Sequence, residues 1–305
     1  MSPKVTLAGA VAVILAAASG PAHAGFAFQT LVFPRADSIE IHAAVAINDL
    51  GQVVVEGTRP NIDYSFITRT GIYSLATHAF TPFAPYPGSF PDATRLTGIN
   101  NLGQLVGYYH QPFGQWRGFS YAGGAFTPRN AFGGSFNTPQ AINDLGVIVG
   151  AAGDANQTQG YIYRGGTYTP VNAAPNPLNS TGLLGINDRG QIVGVWGNSA
   201  SGQYPNSFLD VGGVFTPIAM PGQRRTAVAA INNFGLVVGG VSNDDFVTGS
   251  GFAWANGVFF RLDYPGAKDT YALGVNDRGQ IVGFYTDQAG VSNAFLATLT
   301  TLTTL

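Results

Sequence analysis

The chain has 305 residues, enough for one large all-β domain or two ordinary ones, and only 10% of them are charged, with a formal net charge of -2. No Lys/Arg cluster exceeds the pair Arg224 and Arg225, so the several phosphate-neutralising cations of a nucleic-acid-binding face are missing. Cysteine is absent, which excludes thiol catalysis, thiolate metal sites and disulfide staples and leaves stability to the core alone.

The N-terminus has the pattern of a secretory signal. Lys4 supplies a positive n-region, residues 5–18 an apolar h-region, and Ala22-His23-Ala24 an A-x-A cleavage site before Gly25. The apolar run is short for a spanning helix and ends in Gly20-Pro21. Residues 1–24 are therefore expected to be removed on export, to the periplasm or beyond, leaving residues 25–305 as one domain. No membrane span is expected in the mature chain.

The first strand expected after that site is Phe26 to Phe33. A segment of the type Ile-Asn-Asp-x-Gly-Gln-Ile-Val-Gly then occurs six times, with its Asn at 48, 100, 143, 187, 232 and 276. The spacings are 52, 43, 44, 45 and 44 residues. A period near 44 is the length of a four-stranded propeller blade. The last unit displays four short strands: Gly251 to Trp254, Val258 to Asp263, Thr270 to Val275 and Gln280 to Tyr285. Each is bounded by Gly, Pro, Asn or Asp. In the Asn-Asp-x-Gly turn, short Asx side chains bond the backbone and Gly tolerates positive φ. With at most one carboxylate, such a turn is a poor calcium loop.

The two ends complement each other. Phe26 to Phe33 matches the second strand of a unit, as in Gly213 to Ile218, and has no first strand before it. Asn293 to Ala297 matches a first strand and has no second strand after it. A closed ring satisfies both edges. The expected fold is a six-bladed, all-β propeller with four-stranded blades, closed three-plus-one by a C-terminal strand that completes the first blade.

These segments resemble the HAF-type extracellular repeat family. Its repeats carry a Gly/His-Ala-Phe-Leu-Trp/Tyr strand, a Pro-Gly loop and an Asn-Asp-x-Gly-x-Val-Val-Gly hairpin. The first element appears here as Gly251-Phe-Ala-Trp254, Gly118-Phe-Ser-Tyr121, Gly160-Tyr-Ile-Tyr163, Ser207-Phe-Leu-Asp210, Tyr64-Ser-Phe-Ile67 and Asn293-Ala-Phe-Leu296. The literal His78-Ala-Phe80 falls out of register, in an insertion. The resemblance implies bacterial export. It implies no chemistry, so no catalytic residue is carried over.

Successive loops of an up-and-down blade alternate between two faces. One face carries the short, near-identical turns, and the other carries long, varied loops, where function concentrates. Departures from the repeat mark candidates on that face. Four units have Thr six residues before the turn Asn (Thr94, Thr181, Thr226, Thr270), whereas the first has His42. Glu56, Arg59 and His110 also break the pattern. His42, Glu56, Arg59 and His110 are candidates for acid-base chemistry.

Tyr109, Trp116, Trp196, Tyr204 and Tyr285, with Asp287, lie on or beside the varied loops. Aromatic faces beside polar groups suit sugar rings. No cofactor motif or metal motif accompanies them. The sequence therefore points to a secreted binding or scaffold propeller whose partner is an extracellular carbohydrate or cell-surface component. The alternative is a polysaccharide lyase or hydrolase with a His/Glu/Arg centre on the same face.

Overall fold

A computed structural model describes residues 22–32, 40–60, 66–90, 93–111, 114–154, 157–173, 180–197, 206–242 and 249–304. Residues 1–21 of the expected signal segment lie outside them, as does Tyr204. The strands form six separate four-stranded antiparallel sheets.

Blade one comprises β2 (Glu40–Ile47), β3 (Gln52–Pro60), β4 (Phe66–Ser74) and β5 (Phe80–Pro82). Blade two comprises β6 (Thr94–Ile99), β7 (Leu105–His110), β8 (Trp116–Ala122) and β9 (Ala125–Arg129). Blade three comprises β10 (Phe136–Ile142), β11 (Ile148–Gly153), β12 (Thr158–Arg164) and β13 (Thr167–Val171). Blade four comprises β14 (Ser180–Ile186), β15 (Gln191–Gly197), β16 (Asn206–Val211) and β17 (Val214–Ile218). Blade five comprises β18 (Arg225–Ile231), β19 (Val237–Ser242), β20 (Gly249–Ala255) and β21 (Val258–Leu262). Blade six is β22 (Asp269–Val275), β23 (Gln280–Thr286) and β24 (Ser292–Thr304), with β1 (Ala22–Thr30) from the N-terminus as its outer strand.

The two ends of the chain meet as their sequences require. Phe26 to Thr30 pair with Leu299 to Phe295. The Thr30 hydroxyl also reaches Tyr264 Oη at 2.7 Å and Tyr285 Oη at 3.0 Å. The frame of the blade differs from the frame of the repeat by two strands. The third strand of each unit lies innermost, so the sheet gathers three C-terminal strands and one N-terminal strand. Ala22 to Ala24 belong to β1, ahead of a register shift at Gly25/Phe26.

Six apolar clusters fill the gaps, one between each pair of neighbouring blades. The Gly of each Val-Gly end explains how the sheets pack so closely. Gly107, Gly150, Gly194, Gly239 and Gly283 each sit opposite an aromatic residue: Phe119, Tyr161, Phe208, Phe252 and Phe295 respectively. A Cβ at Gly107, for example, would collide with the Arg95 carbonyl oxygen and the Phe119 ring. Blade one inverts this pair, with Val55 opposite Gly71.

The inverted pair corrects one sequence alignment. Thr70 to Tyr73, and not Tyr64 to Ile67, occupy the register that Gly118 to Tyr121 hold in blade two. The cause is a longer β3–β4 hairpin, which stays paired out to Pro60 and Phe66. The out-of-register Phe80 then has a role. Its ring lies over Gly71 and supplies the aromatic volume missing there.

Candidate functional site

The inner strands surround a central cavity of about 470 Å³. Each inner strand carries a bulge three residues before its turn Asn. A bulge leaves its extra residue outside the ladder and re-aims the side chain. The bulged residues Val45, Thr97, Gln140, Leu184, Ala229 and Leu273 all line the cavity. The next residue is alternately Ala and Gly around the ring: Ala46, Gly98, Ala141, Gly185, Ala230 and Gly274. At this level neighbouring inner strands approach closely. A Cβ on Gly185 would lie 3.0 Å from the Ala230 Cα.

The Asn-Asp-x-Gly turns close one end. Each turn Asn accepts backbone N–H groups of its own turn, as Asn187 Oδ1 does from Arg189 and Gln191. Each Asn Nδ2 also donates to the turn-Asn carbonyl of the next blade, at 2.9–3.0 Å, through all six blades. A second ring runs through the following residues, from each backbone N–H to the next side chain: Asp49, Asn101, Asp144, Asp188, Asn233, Asp277 and back to Asp49. Asn101 and Asn233 stand opposite each other in this ring, and each bridges two carboxylates. A motif readable in one unit as a local turn is therefore also the clasp between units.

The opposite, loop-rich end carries the polar groups. Glu56 on β3 receives Arg95 Nε from β6 of the neighbouring blade at 3.0 Å. Tyr108 lines the cavity beside this pair. Burial, then the Glu56 charge, push the Tyr108 hydroxyl above its ordinary pKa, against the pull of Arg95. The Trp116 ring meets the Tyr108 ring edge-on at 5.2 Å and the His110 ring at 4.7 Å. Trp116 remains 37% exposed. A track thus runs from the Glu56–Arg95 pair through Tyr108 to Trp116 and His110 at the rim.

Glu56, His110 and Trp116, each singled out by sequence, converge here. Their link is Arg95, whose signal was its position. It follows Thr94 where other units have Ala, Gly, Thr or Tyr. His42 sits half-buried at a second bulge of β2 and is not among the residues lining the cavity. Arg59 lies on β3 opposite Ile67, and its side chain is outside the described residues. Glu56 is held by Arg95, and His42 lies on β2 beside the register position of Glu56.

The other aromatic candidates serve packing. Tyr109 is only 5% exposed and stacks on Tyr86 at 3.8 Å. Burial is the largest reason that its hydroxyl pKa is pushed up to about 12. Tyr285 stacks on Tyr264 at 3.7 Å in the equivalent place of blade six. Trp196 is half-buried against the core between blades three and four. Asp287 caps its own turn, accepting the Ala289 and Val291 N–H groups at 2.9 Å. The four Thr before the turns are also structural. Thr94, Thr181, Thr226 and Thr270 each accept a backbone N–H from the segment that enters their blade.

The chain matches no protein-family model. No curated protein matches it significantly. Solved structures match it over most of its length. The β-propeller domain of the Trilobed protease from Pyrococcus furiosus, described as having an open velcro topology, superposes with a TM-score of 0.53 at 11% identity, covering 85% of this chain and 96% of that one. A protein of unknown function from Dyadobacter fermentans gives 0.54 at 12%, covering 89% and 99%. TolB from Acinetobacter baumannii gives 0.52 at 12%, covering 75% of this chain and 54% of that one. At such identities the likeness establishes the fold class alone. The chain is a six-bladed β-propeller.

Proposed function

We propose that this propeller is an exported, HAF-type repeat protein that binds carbohydrate on its loop-rich face, at the Trp116 rim of blade two. The carrying observation is Trp116 itself, exposed and braced edge-on by Tyr108 and His110 beside a carboxylate–guanidinium pair. A braced aromatic surface costs little entropy to present to the C–H face of a sugar. Glu56 has acceptor capacity beyond its bond to Arg95 for sugar hydroxyls.

We read the site as one for binding, with glycoside hydrolysis as the less supported alternative. Hydrolysis in its common form uses two carboxylates about 5–9.5 Å apart. Glu56 is the only carboxylate lining the cavity among the described residues. A glycan array on the intact protein, followed by calorimetry on any hit, tests the reading. Binding is expected to fall at least tenfold in Trp116→Ala and to persist in Trp196→Ala. An empty array, or an unchanged affinity in Trp116→Ala, contradicts it.

A further inference from the structure

We infer that the central channel is a second binding site, a blind pocket for one small neutral molecule with an apolar ring body and a hydrogen-bond-donating head. The pocket is centred on the bulged residues of the inner strands and meets the Trp116 site only at its mouth, at Glu56, Arg95 and Tyr108. Its floor is sealed by the two rings of hydrogen bonds between the Asx turns, where the remaining space is only about 80 Å³. Its volume of about 470 Å³ falls within the range of small-molecule sites.

The wall is divided chemically. The bulged residues of blades four, five and six are Leu184, Ala229 and Leu273, an apolar arc. Those of blades two and three are Thr97 and Gln140. Thr97 Oγ1 lines the cavity and already donates to the Pro139 carbonyl at 2.8 Å, so toward a ligand it acts as an acceptor. An apolar body therefore belongs against blades four to six. At the mouth, Glu56 and Arg95 neutralise each other, so a neutral head fits better than an ion. The second Glu56 oxygen can accept from that head.

The repeat alone does not require this arrangement. Tyr271 occupies at blade six the place that Arg95 holds at blade two, and leans over Gly240 and Gly249 of blade five, where a Cβ would meet its ring. These two large residues narrow the mouth on two sides. Blades three and four have Thr138 and Gly182 at this level and leave it open.

The probe is 1-naphthol, whose neutral-form emission rises when it is shielded from water. Wild-type protein is expected to bind it saturably with one-to-one stoichiometry. Glu56→Gln should weaken binding at least fivefold, and Ala229→Trp, which fills the pocket, should abolish it. Trp116→Ala should leave it unchanged, so failure here and failure of glycan binding are separable. Circular dichroism checks that Ala229→Trp is folded; if it is not, Leu184→Phe carries the same test with a smaller added volume. Absence of saturable binding by wild type, or binding undiminished in a folded pocket-filling variant, overturns the inference.

Discussion

Asn276 donates its Nδ2 to the carbonyl of Asn48 at 3.0 Å, across a sequence separation of 228 residues. The same bond joins every other pair of neighbouring blades at separations of 43 to 52 residues. The ring is thus closed twice, by the pairing of β1 with β24 at its outer edge and by Asn276 at its axis.

Asn276→Asp tests the inner closure. The substitution keeps the oxygen that accepts from Arg278 and Gln280 but removes the donors to Asn48 O and Gln280 Oε1. It leaves buried acceptors facing a carboxylate, which costs about 2 kcal/mol or more. Urea denaturation should show a lowered midpoint. A midpoint equal to that of wild type would mean that the axial bonds contribute nothing.

The second ring makes stability depend on pH. Burial raises the Asp277 pKa above 3.8, the neighbouring charges of Asp49 and Asp188 add to this, and hydrogen bonds from Asn233 oppose it. A raised native-state pKa means that the folded protein holds this proton more tightly than the unfolded chain. The associated stability is present below 3.8 and is lost as pH rises through the raised value. In thermal melts across that window, wild type should lose stability relative to Asp277→Asn as pH increases. A difference that is constant, or of opposite sign, contradicts the assignment.

Blade one depends on a substitute for its missing aromatic. Phe80→Ala removes the ring that covers Gly71. The expected cost is about 2 kcal/mol, below that of a fully buried ring because Phe80 is half-buried. Val55 and Gly71 cannot compensate, since Val55 already packs in the core between blades six and one. A change within error in the denaturation midpoint would leave the inverted pair without an energetic role.

Arg95 separates function from stability. Its pair with Glu56 is partly solvated, with side chains 22% and 28% exposed, so Arg95→Met should change stability by less than about 1 kcal/mol. The same variant should weaken carbohydrate binding about tenfold, because Glu56 loses the partner that fixes its carboxylate. Calorimetry and denaturation on one preparation check both halves.

Much of this was legible in the sequence because six copies of one turn reveal a period. Strand count, turn chemistry and the meeting of the two ends follow from that period. The radial order does not, because every strand of a unit alternates in the same way and none announces that it faces the axis. The Glu56–Arg95 pair was half visible. Glu56 stands out as a departure from the repeat, but its partner lies in the next blade, and only the packed ring brings them together. Tyr109 and Tyr285 stood as ligand candidates because they lie beside the varied loops. They are covered by Tyr86 and Tyr264, which arrive from the segments entering blades two and six. The second bulge of β2, at His42, was not legible either, because nothing in the repeat marks it.

Carbohydrate binding at the blade-two rim is tested most directly by the indole N–H resonances of the three tryptophans. Trp254 is 9% exposed, Trp196 is half-buried and Trp116 stands at the rim. In a titration with an array-selected oligosaccharide, the Trp116 resonance should move saturably while those of Trp196 and Trp254 stay in place. Movement at Trp196 or Trp254 with Trp116 unmoved would place the ligand elsewhere and contradict the proposed site.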